Sequence, residues 1–132
     1  MAINYTIDSW GKHIDVTLSG SFGVEEVLKF LEEVGAEIPD EKGFTVLADA
    51  TKANDNPLTV ADMELFADIC NRASWAQQIE REAIVTSSEF NAGLTVLFQQ
   101  FSKTDKKSKL FTSVENARSW LMKSQDKAVR AA

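Results

Sequence analysis

The chain has 132 residues, of which 44% are hydrophobic and 26% charged, and its formal net charge is −6. A chain of this size and composition forms one domain around a single core, which excludes disordered, collagen-like and coiled-coil proteins. Its one histidine and one cysteine exclude an intrachain disulfide and most nucleophilic or zinc-dependent mechanisms. We therefore expect no metal and no cofactor. Because no apolar run reaches the length of a membrane helix and the N-terminus lacks signal-peptide character, we expect a cytoplasmic protein.

The charge is unevenly distributed along the chain. Residues 1–102 carry 6 Lys/Arg and 17 Asp/Glu, whereas residues 103–132 carry 8 and 3, which gives net charges of −11 and +5. The acidic body opposes nucleic-acid binding, because phosphate contacts need clustered cations. The lysines that precede the last predicted strand are interpreted as guards of a sheet edge, with contact to an anionic membrane surface as the alternative; they are Lys103, Lys106, Lys107 and Lys109.

The first half of the chain predicts a hairpin, a helix and a buried strand. Apolar alternation over residues 4–8 and 14–19 indicates two strands joined by a turn, in which Gly11 supplies the special backbone conformation. His13 is interpreted as an exposed turn residue, because a turn tip rarely supplies the partner and pocket that catalysis needs. Helical spacing from Val24 predicts a helix that ends at Gly35 and Pro39. The apolar run 44–49 predicts a central strand.

The second half predicts three more helices and two more strands. Thr59 and Asp62 have the spacing of a capping box, and the helix they open is predicted to bury Val60, Met63, Phe66, Ala67, Cys70 and Ala73. Strands are predicted at residues 81–86 and 109–111, a third helix is opened by residues 86–89, and a terminal helix is capped by residues 112–115. The domain covers residues 1–124, and 125–132 are expected to form a frayed tail. The order ββαβαβαβα predicts an α/β fold with a mostly parallel sheet and an antiparallel N-terminal hairpin.

The loop that follows the central strand is one candidate site. In open α/β sheets this edge is where ligands and partners usually bind. Turn formation and helix capping explain its residues without a partner. The alternative is a partner-binding segment made of Asn54, Asp55, Asn56, Leu58, Thr59 and Asp62.

The third helix carries a second candidate site. Its apolar stripe is typical of a core, but its phenylalanine content also fits an apolar pocket or a dimer contact. The stripe consists of Phe90, Leu94, Leu97, Phe98 and Phe101. Cys70 is interpreted as a small core residue. The carboxylates are scattered along the sequence, and we expect them on a solvated surface.

Several segments together resemble STAS-like proteins, the domain of sulphate transporters and anti-sigma-factor antagonists. They are the hairpin ending in Leu18-Ser19-Gly20, the strand 44–49, the segment Glu80-Arg81-Glu82-Ala83-Ile84-Val85 and the closing residues 111–121. The similarity covers about residues 3–122. It is nearest to the branch of the sporulation anti-anti-sigma factor, whose fold overlaps that of CRAL-TRIO lipid carriers.

The resemblance implies a bacterial regulatory domain without a catalytic centre. Antagonists of this family are switched by phosphorylation of a serine in an Asp-Ser-x-Gly motif that opens the second helix. The corresponding residues here are Pro57-Leu58-Thr59-Val60. They lack that motif, which argues against a phosphoswitch.

Two functions follow as hypotheses, and an enzyme ranks below both. The first is a regulatory or adaptor domain that binds a protein partner through residues 51–59 and the second helix. The second is a carrier or sensor of a small apolar, lipid-like molecule, held by Phe66, Phe90, Leu94 and Phe98. Members of the carrier-like branch are often dimeric, so a homodimer remains an open alternative. Neither hypothesis involves nucleic acid or integral membrane association.

Overall fold

The chain alternates strands and helices in the predicted order ββαβαβαβα, which is confirmed. The computed structural model describes residues 2–103 and 106–131, and the side chains of residues 2–103 and 106–123. The elements are β1 (Ile3–Asp8), β2 (His13–Gly20), α1 (Val24–Glu37), β3 (Phe44–Ala53), α2 (Val60–Arg72), β4 (Ile79–Thr86), α3 (Glu89–Phe101), β5 (Lys107–Phe111) and α4 (Val114–Ala131). A 3-10 helix at Ser74–Gln78, which the sequence did not predict, leads into β4.

The five strands lie in the sheet in sequence order, β1-β2-β3-β4-β5. The β1–β2 pair is antiparallel and the other pairs are parallel, as predicted. Parallel crossovers are right-handed, so a sheet that grows in one direction places all its crossover helices on one face. Helices α1, α2 and α3 cover this side, which we call the cavity face. Helix α4 follows the last strand and packs against β3, β4 and β5 on the opposite side, the α4 face.

Strand β3 is central, and it is longer than predicted. Its first four residues are all buried, which agrees with the expected buried strand. It continues to Ala53 because, after a bulge, Ser19 and Gly20 of β2 pair with Lys52 and Ala53. Residues 51–53 were assigned to a polar loop from the sequence. They form part of a strand because they pair with β2, and not because their own sequence favours a strand.

The β1–β2 turn uses its glycine differently from the prediction. The residue with a left-handed backbone is Lys12, with φ at 50°, rather than Gly11. A Cβ on Gly11 would lie 2.5 Å from Oδ2 of Asp8. The other carboxylate oxygen of Asp8 accepts hydrogen bonds from the backbone N–H groups of Trp10, at 3.1 Å, and Gly11, at 3.0 Å. Glycine is thus needed here for the close approach of Asp8 to the turn backbone.

Helix α1 passes through Gly35 and ends two residues later, at Glu37. This end lies between Gly35 and Pro39, the two residues predicted to mark the exit from the helix. A Cβ on Gly35 would lie 2.6 Å from Nε1 of Trp75. The glycine allows the indole of the 3-10 helix to pack directly on the backbone of α1.

The capping box that opens α2 is confirmed. Oγ1 of Thr59 accepts a hydrogen bond from the N–H of Asp62 at 3.2 Å, and the N–H of Thr59 donates to Oδ2 of Asp62 at 2.8 Å. Four residues of α2 are buried as predicted: Met63, Phe66, Ala67 and Cys70. Val60 is 53% exposed instead. The first turn of the helix lies at the surface, since Thr59 and Ala61 are exposed as well.

Helix α4 is capped by Ser113, whose hydroxyl accepts a hydrogen bond from the N–H of Asn116 at 3.3 Å. The helix continues to Ala131. The side chains beyond residue 123, and Ala132 as a whole, lie outside those described, so the frayed tail at 125–132 stays a prediction. Among the described residues, no helix is both long and apolar enough to cross a membrane.

Candidate ligand cavity

A partly open cavity of about 230 Å³ lies between the cavity face of the sheet and helices α1, α2 and α3. It extends along the sheet from the loop before α2 to the start of β4. Strand residues with the same inward orientation form its floor, among them Ile14, Val16, Val46, Ala48 and Ile84. Its helical walls are formed by large apolar side chains, among them Val27, Phe30, Met63, Phe66, Leu94 and Phe98. The space is therefore apolar over most of its surface.

Three of the four predicted pocket residues line this cavity. Phe66 is 4% exposed and lies in the wall together with Leu94 and Phe98. Phe90 does not line the cavity, and its side chain is 46% exposed. It lies in the first turn of α3. Leu94 follows four residues later on the same side of the helix, but of these two residues only Leu94 lines the cavity.

A group of hydrogen-bonded asparagines lies near the carboxyl ends of the strands, and one of them, Asn91, lines the cavity. The side chain of Asn56, which is 2% exposed, accepts a hydrogen bond from the N–H of Phe22 at 2.8 Å. Its Nδ2 donates to the carbonyl of Asn54 at 3.0 Å. The same carbonyl accepts a hydrogen bond from Nδ2 of Asn91, at 3.1 Å, which ties the loop to α3. Each amide group satisfies backbone groups that would otherwise be costly to bury.

This arrangement separates the predicted partner-binding residues into four kinds. Asn56 is buried and uses its side chain within the protein, so it is not available to a partner. Leu58 lines the cavity. Thr59 and Asp62 hold each other in the capping box, and Asn54 and Asp55 are exposed. The structure therefore does not bring these six side chains together as one exposed surface.

The opposite end of the cavity contains a buried ion pair. Nζ of Lys106 lies 3.2 Å from Oε2 of Glu82, and the two side chains are only 4% and 12% exposed. Oε1 of Glu82 accepts a hydrogen bond from Oγ of Ser108 at 2.9 Å, and that hydroxyl in turn accepts one from Nε2 of Gln99. Lys106 also lies 5.4 Å from the ring centroid of Phe98, within the range of a cation–π contact.

The ion pair corrects two expectations from the sequence. Lys106 was grouped with exposed lysines that guard a sheet edge, but it is buried in the cavity wall, whereas Lys107 and Lys109 are exposed on β5. Glu82 was counted among solvated carboxylates. It lies inside because β4 pairs with β5 in a register that places Glu82 opposite Ser108.

Both the lysine and the cysteine of this region have altered proton affinities. Burial alone would lower the pKa of Lys106, but the neighbouring Glu82 carboxylate outweighs it, and the net pKa is raised. The lysine therefore stays charged at neutral pH. Burial raises the pKa of the Cys70 thiol, an effect that the charge of Lys106 partly offsets. A buried protonated thiol is a poor nucleophile, which agrees with the interpretation of Cys70 as a core residue.

Beyond the ion pair lies a polar groove at the surface. Lys106, Ala76 and Ile79 border both the groove and the cavity. The other groove residues are mostly polar and include Lys42, Asn71, Glu80 and Lys103. Lys106 is therefore the charged group at the boundary between an apolar interior space and a polar surface.

A second polar cluster lies on the α4 face of the sheet, around His13. The imidazole is the first side chain of β2 rather than part of the turn, and it is 22% exposed. Its Nδ1 lies 2.7 Å from Oγ1 of Thr45, and its Nε2 lies 3.1 Å from Oδ1 of Asp15. The same carboxylate oxygen lies 3.5 Å from the guanidinium of Arg118. The expected exposed turn histidine is thus corrected, because strand pairing with β3 places Thr45 beside it.

Within residues 2–103 and 106–123, no three side chains from histidine, cysteine, aspartate or glutamate lie close enough together to hold a metal ion. The cavity is bounded mainly by carbon atoms, so an apolar molecule is the kind of ligand that fits it.

Comparison with known proteins establishes the fold. No family model matches the sequence, and no curated protein matches it either. The structure is similar to that of an uncharacterised protein of the DUF3478 family from Shewanella loihica PV-4, which has a SpoIIAA-like fold. The two share 19% sequence identity with a TM-score of 0.58, and the match covers 91% of this chain and 92% of the other. The chain therefore has a SpoIIAA-like fold, and the predicted STAS-like domain is confirmed at the level of the fold.

Proposed function

We propose that the protein is a non-enzymatic binding domain that holds a small apolar molecule in its cavity, as a carrier or a sensor. The observation that supports this function is a partly open apolar cavity of about 230 Å³ in a domain of 132 residues. Apolar walls in contact with water are unfavourable. A ligand that occupies the space removes this apolar surface from water and gains binding affinity from the burial.

The size of the cavity limits the ligand. An engineered apolar cavity of about 150 Å³ binds benzene, so by proportion this cavity holds roughly nine non-hydrogen atoms. A medium-length aliphatic chain or a single substituted ring meets that limit. A longer molecule must extend through the opening.

The proposal is tested by filling the cavity with a side chain. Ala48 lies on the floor of the cavity, on β3, and Ala48→Leu places three extra carbon atoms in the space. We expect the wild type to bind 1-octanol, which has nine non-hydrogen atoms, and Ala48→Leu to bind it at least about tenfold more weakly. Isothermal titration calorimetry measures both affinities.

The matched control is Ala36→Leu. Ala36 is exposed on α1 and does not line the cavity, so this substitution adds the same atoms at the surface and should leave the affinity unchanged. Equal affinity of the wild type and Ala48→Leu, or no binding of 1-octanol by the wild type, would contradict the proposal.

A second candidate function is protein binding through the first two turns of α2, favoured by the exposure of apolar side chains there. Val60 is 53% exposed and Leu65 is 41% exposed. Leu58, two residues before Val60, lines the cavity. A ligand that shifts Leu58 would change the exposed surface at the start of α2, so ligand binding and partner binding can be coupled.

This second function ranks below the first because two of the predicted partner-binding residues are not at the surface. Asn56 is buried and Leu58 lines the cavity. Its test is the recovery of a stoichiometric partner from a native lysate. We expect Val60→Asp to abolish that recovery, whereas Val96→Asp, at a residue 41% exposed on α3, retains it. Equal recovery with both variants would place the contact elsewhere. The cytoplasmic location and the homodimer stay predictions.

A further inference from the structure

Among the described residues that line the cavity, two are charged, and they form an ion pair at the end near the start of β4. The position of this pair indicates which chemical group a ligand carries at that end of the cavity. Glu82 and Lys106 both line the cavity, and their side chains are 12% and 4% exposed. Burying such a pair stabilises a protein weakly, because the cost of removing two charges from water offsets their attraction. Apolar residues of similar size would serve packing equally well. The pair therefore calls for another explanation than stability.

The carboxylate of the pair is fixed from outside the cavity. Its Oε1 accepts a hydrogen bond from Ser108 and its Oε2 from Lys106. Gln99 donates to Ser108 at 2.9 Å and so holds the hydroxyl in place. Glu82 is thus engaged at both oxygens, by Ser108 on β5 and by Lys106 just before β5, and it acts as a fixed counter-ion.

The ammonium of the pair keeps donors that can reach a ligand. A lysine has three N–H groups, and within the described residues one hydrogen-bond acceptor, Glu82, contacts Nζ of Lys106. The ring of Phe98, 5.4 Å away, borders the same cavity. A ligand oxygen at this end of the cavity can accept a hydrogen bond from Lys106.

The Glu82–Lys106 pair has no net charge, and this determines which kind of ligand oxygen binds next to it. Glu82 already neutralises Lys106, and the raised pKa of the lysine keeps it charged. A ligand carboxylate would bring a second negative charge next to Glu82 in a poorly solvated space, where like charges repel strongly. A hydroxyl or carbonyl oxygen gains the hydrogen bond without that repulsion.

We infer that the cavity binds an uncharged ligand whose apolar body ends in an oxygen acceptor, an alcohol or a carbonyl compound, with that oxygen hydrogen-bonded to Lys106. The inference rests on the proposed function. It also orients the ligand, because Lys106 borders the polar surface groove. The polar end lies toward the groove, and the apolar body lies toward Leu58.

The inference is tested with ligands of equal chain length and different ends: octane, 1-octanol, octanal and octanoate, at pH 7.5, by isothermal titration calorimetry. We expect 1-octanol and octanal to bind at least about tenfold more tightly than octanoate, and several-fold more tightly than octane. Lys106→Met should lower the affinity for the alcohol to that for octane. The matched control is Lys103→Met, which removes an exposed lysine of the groove outside the cavity. It should change neither the affinity for 1-octanol nor that for octane.

Glu82→Gln provides the opposite test, because it leaves Lys106 without its counter-ion. We expect octanoate to gain at least about tenfold in affinity and to overtake 1-octanol. If Glu82→Gln does not fold, the double variant Glu82→Gln, Lys106→Met removes both charges, and it should bind octane and 1-octanol equally.

The outcomes separate this inference from the proposed function. If none of the four compounds binds the wild type, the proposed function fails. If they bind but octanoate binds most tightly, or if Lys106→Met leaves the ratio of 1-octanol to octane affinity unchanged, the apolar cavity stands and the inference about the ligand's polar end is overturned.

Discussion

The two faces of the sheet differ in packing, and the face with fewer helices is the tighter one. On the α4 face, Ala83, Val85 and Ala117 are completely buried, and Leu47 and Leu121 are 1% and 3% exposed. On the cavity face, three helices cover the sheet and yet about 230 Å³ stays unfilled. The number of covering helices therefore does not decide how well a face is packed.

Side-chain size accounts for the difference. Where α4 meets the sheet, Ala117 and Ala83 allow the helix and strand backbones to approach closely, and the core is dense. Around the cavity, the large side chains Phe22, Phe30 and Trp75 line a space that they do not fill. We infer that the α4 face supplies stability, which leaves the cavity face free to bind a ligand.

The largest expected effect comes from deleting the same side chain on each face. Leu47→Ala, on the α4 face, should lower the free energy of unfolding by about 2–5 kcal/mol, because it opens a cavity in a closely packed core. Leu94→Ala, in the cavity wall, should cost less than half as much, since that leucine already lacks neighbours on one side. Urea unfolding measures both. Equal losses would mean that the two faces are packed alike.

Replacing a strand alanine by leucine should change the free energy of unfolding in opposite directions on the two faces. Ala83 and Ala48 lie on adjacent strands and face opposite sides. Ala83→Leu should lower the free energy of unfolding by about 1–3 kcal/mol by overpacking. Ala48→Leu should raise it by about 0.5–2 kcal/mol by filling the cavity. A loss in both variants would show that the cavity cannot accept three further carbon atoms.

A smaller effect is expected from the cap of α2, a helix of the cavity face. Thr59→Ala removes the hydroxyl that accepts from the N–H of Asp62 and should lower the free energy of unfolding by about 1 kcal/mol. Thr59→Ser keeps the cap and serves as the control. If hydrogen exchange in α2 accelerates while global unfolding is unchanged, the cavity face opens as a unit of its own.

Local signals in the sequence were enough to predict the order of the elements. The alternation in β2 and the pairing of Thr59 with Asp62 each depend on residues within a few positions of one another. The ion pair of the cavity depends instead on the register between β4 and β5, which joins residues 24 positions apart. Register is a property of the assembled sheet, so Lys106 could not be distinguished from its lysine neighbours.

One signal for Glu82 was present in the sequence. Side chains two positions apart on a strand share a face, and Ile84 is an apolar residue of the predicted strand 81–86. Glu82 therefore faces the same side as Ile84, which is the floor of the cavity. A carboxylate at such a position predicts a buried partner, and the search for that partner leads to the lysines before β5. His13 was missed for a similar reason, because its partner Thr45 belongs to a strand that pairs with β2 only in the folded sheet.

The smallest effect concerns the outer edge of the cavity face, where Tyr5 of β1 packs against Phe30 with ring centroids 5.6 Å apart. Its hydroxyl donates a hydrogen bond to Oε2 of Glu37 at 2.8 Å. Desolvation, this hydrogen bond and the charges of Glu37 and Glu33 raise the pKa of Tyr5 to about 12. Because the chain has a single tyrosine, absorbance at long ultraviolet wavelengths reports its ionisation alone.

We expect roughly a tenth of Tyr5 to be ionised at pH 11 in the folded protein, against most of it in denaturant, where the pKa is about 10. The folded state holds this proton more tightly than the unfolded chain, so the associated stability is present below about pH 10 and is lost as the pH rises toward 12. Glu37→Gln removes a neighbouring negative charge and should lower the pKa of Tyr5, while circular dichroism checks that the fold persists. An unchanged titration in that variant would mean that desolvation by Phe30 and its neighbours alone protects the hydroxyl.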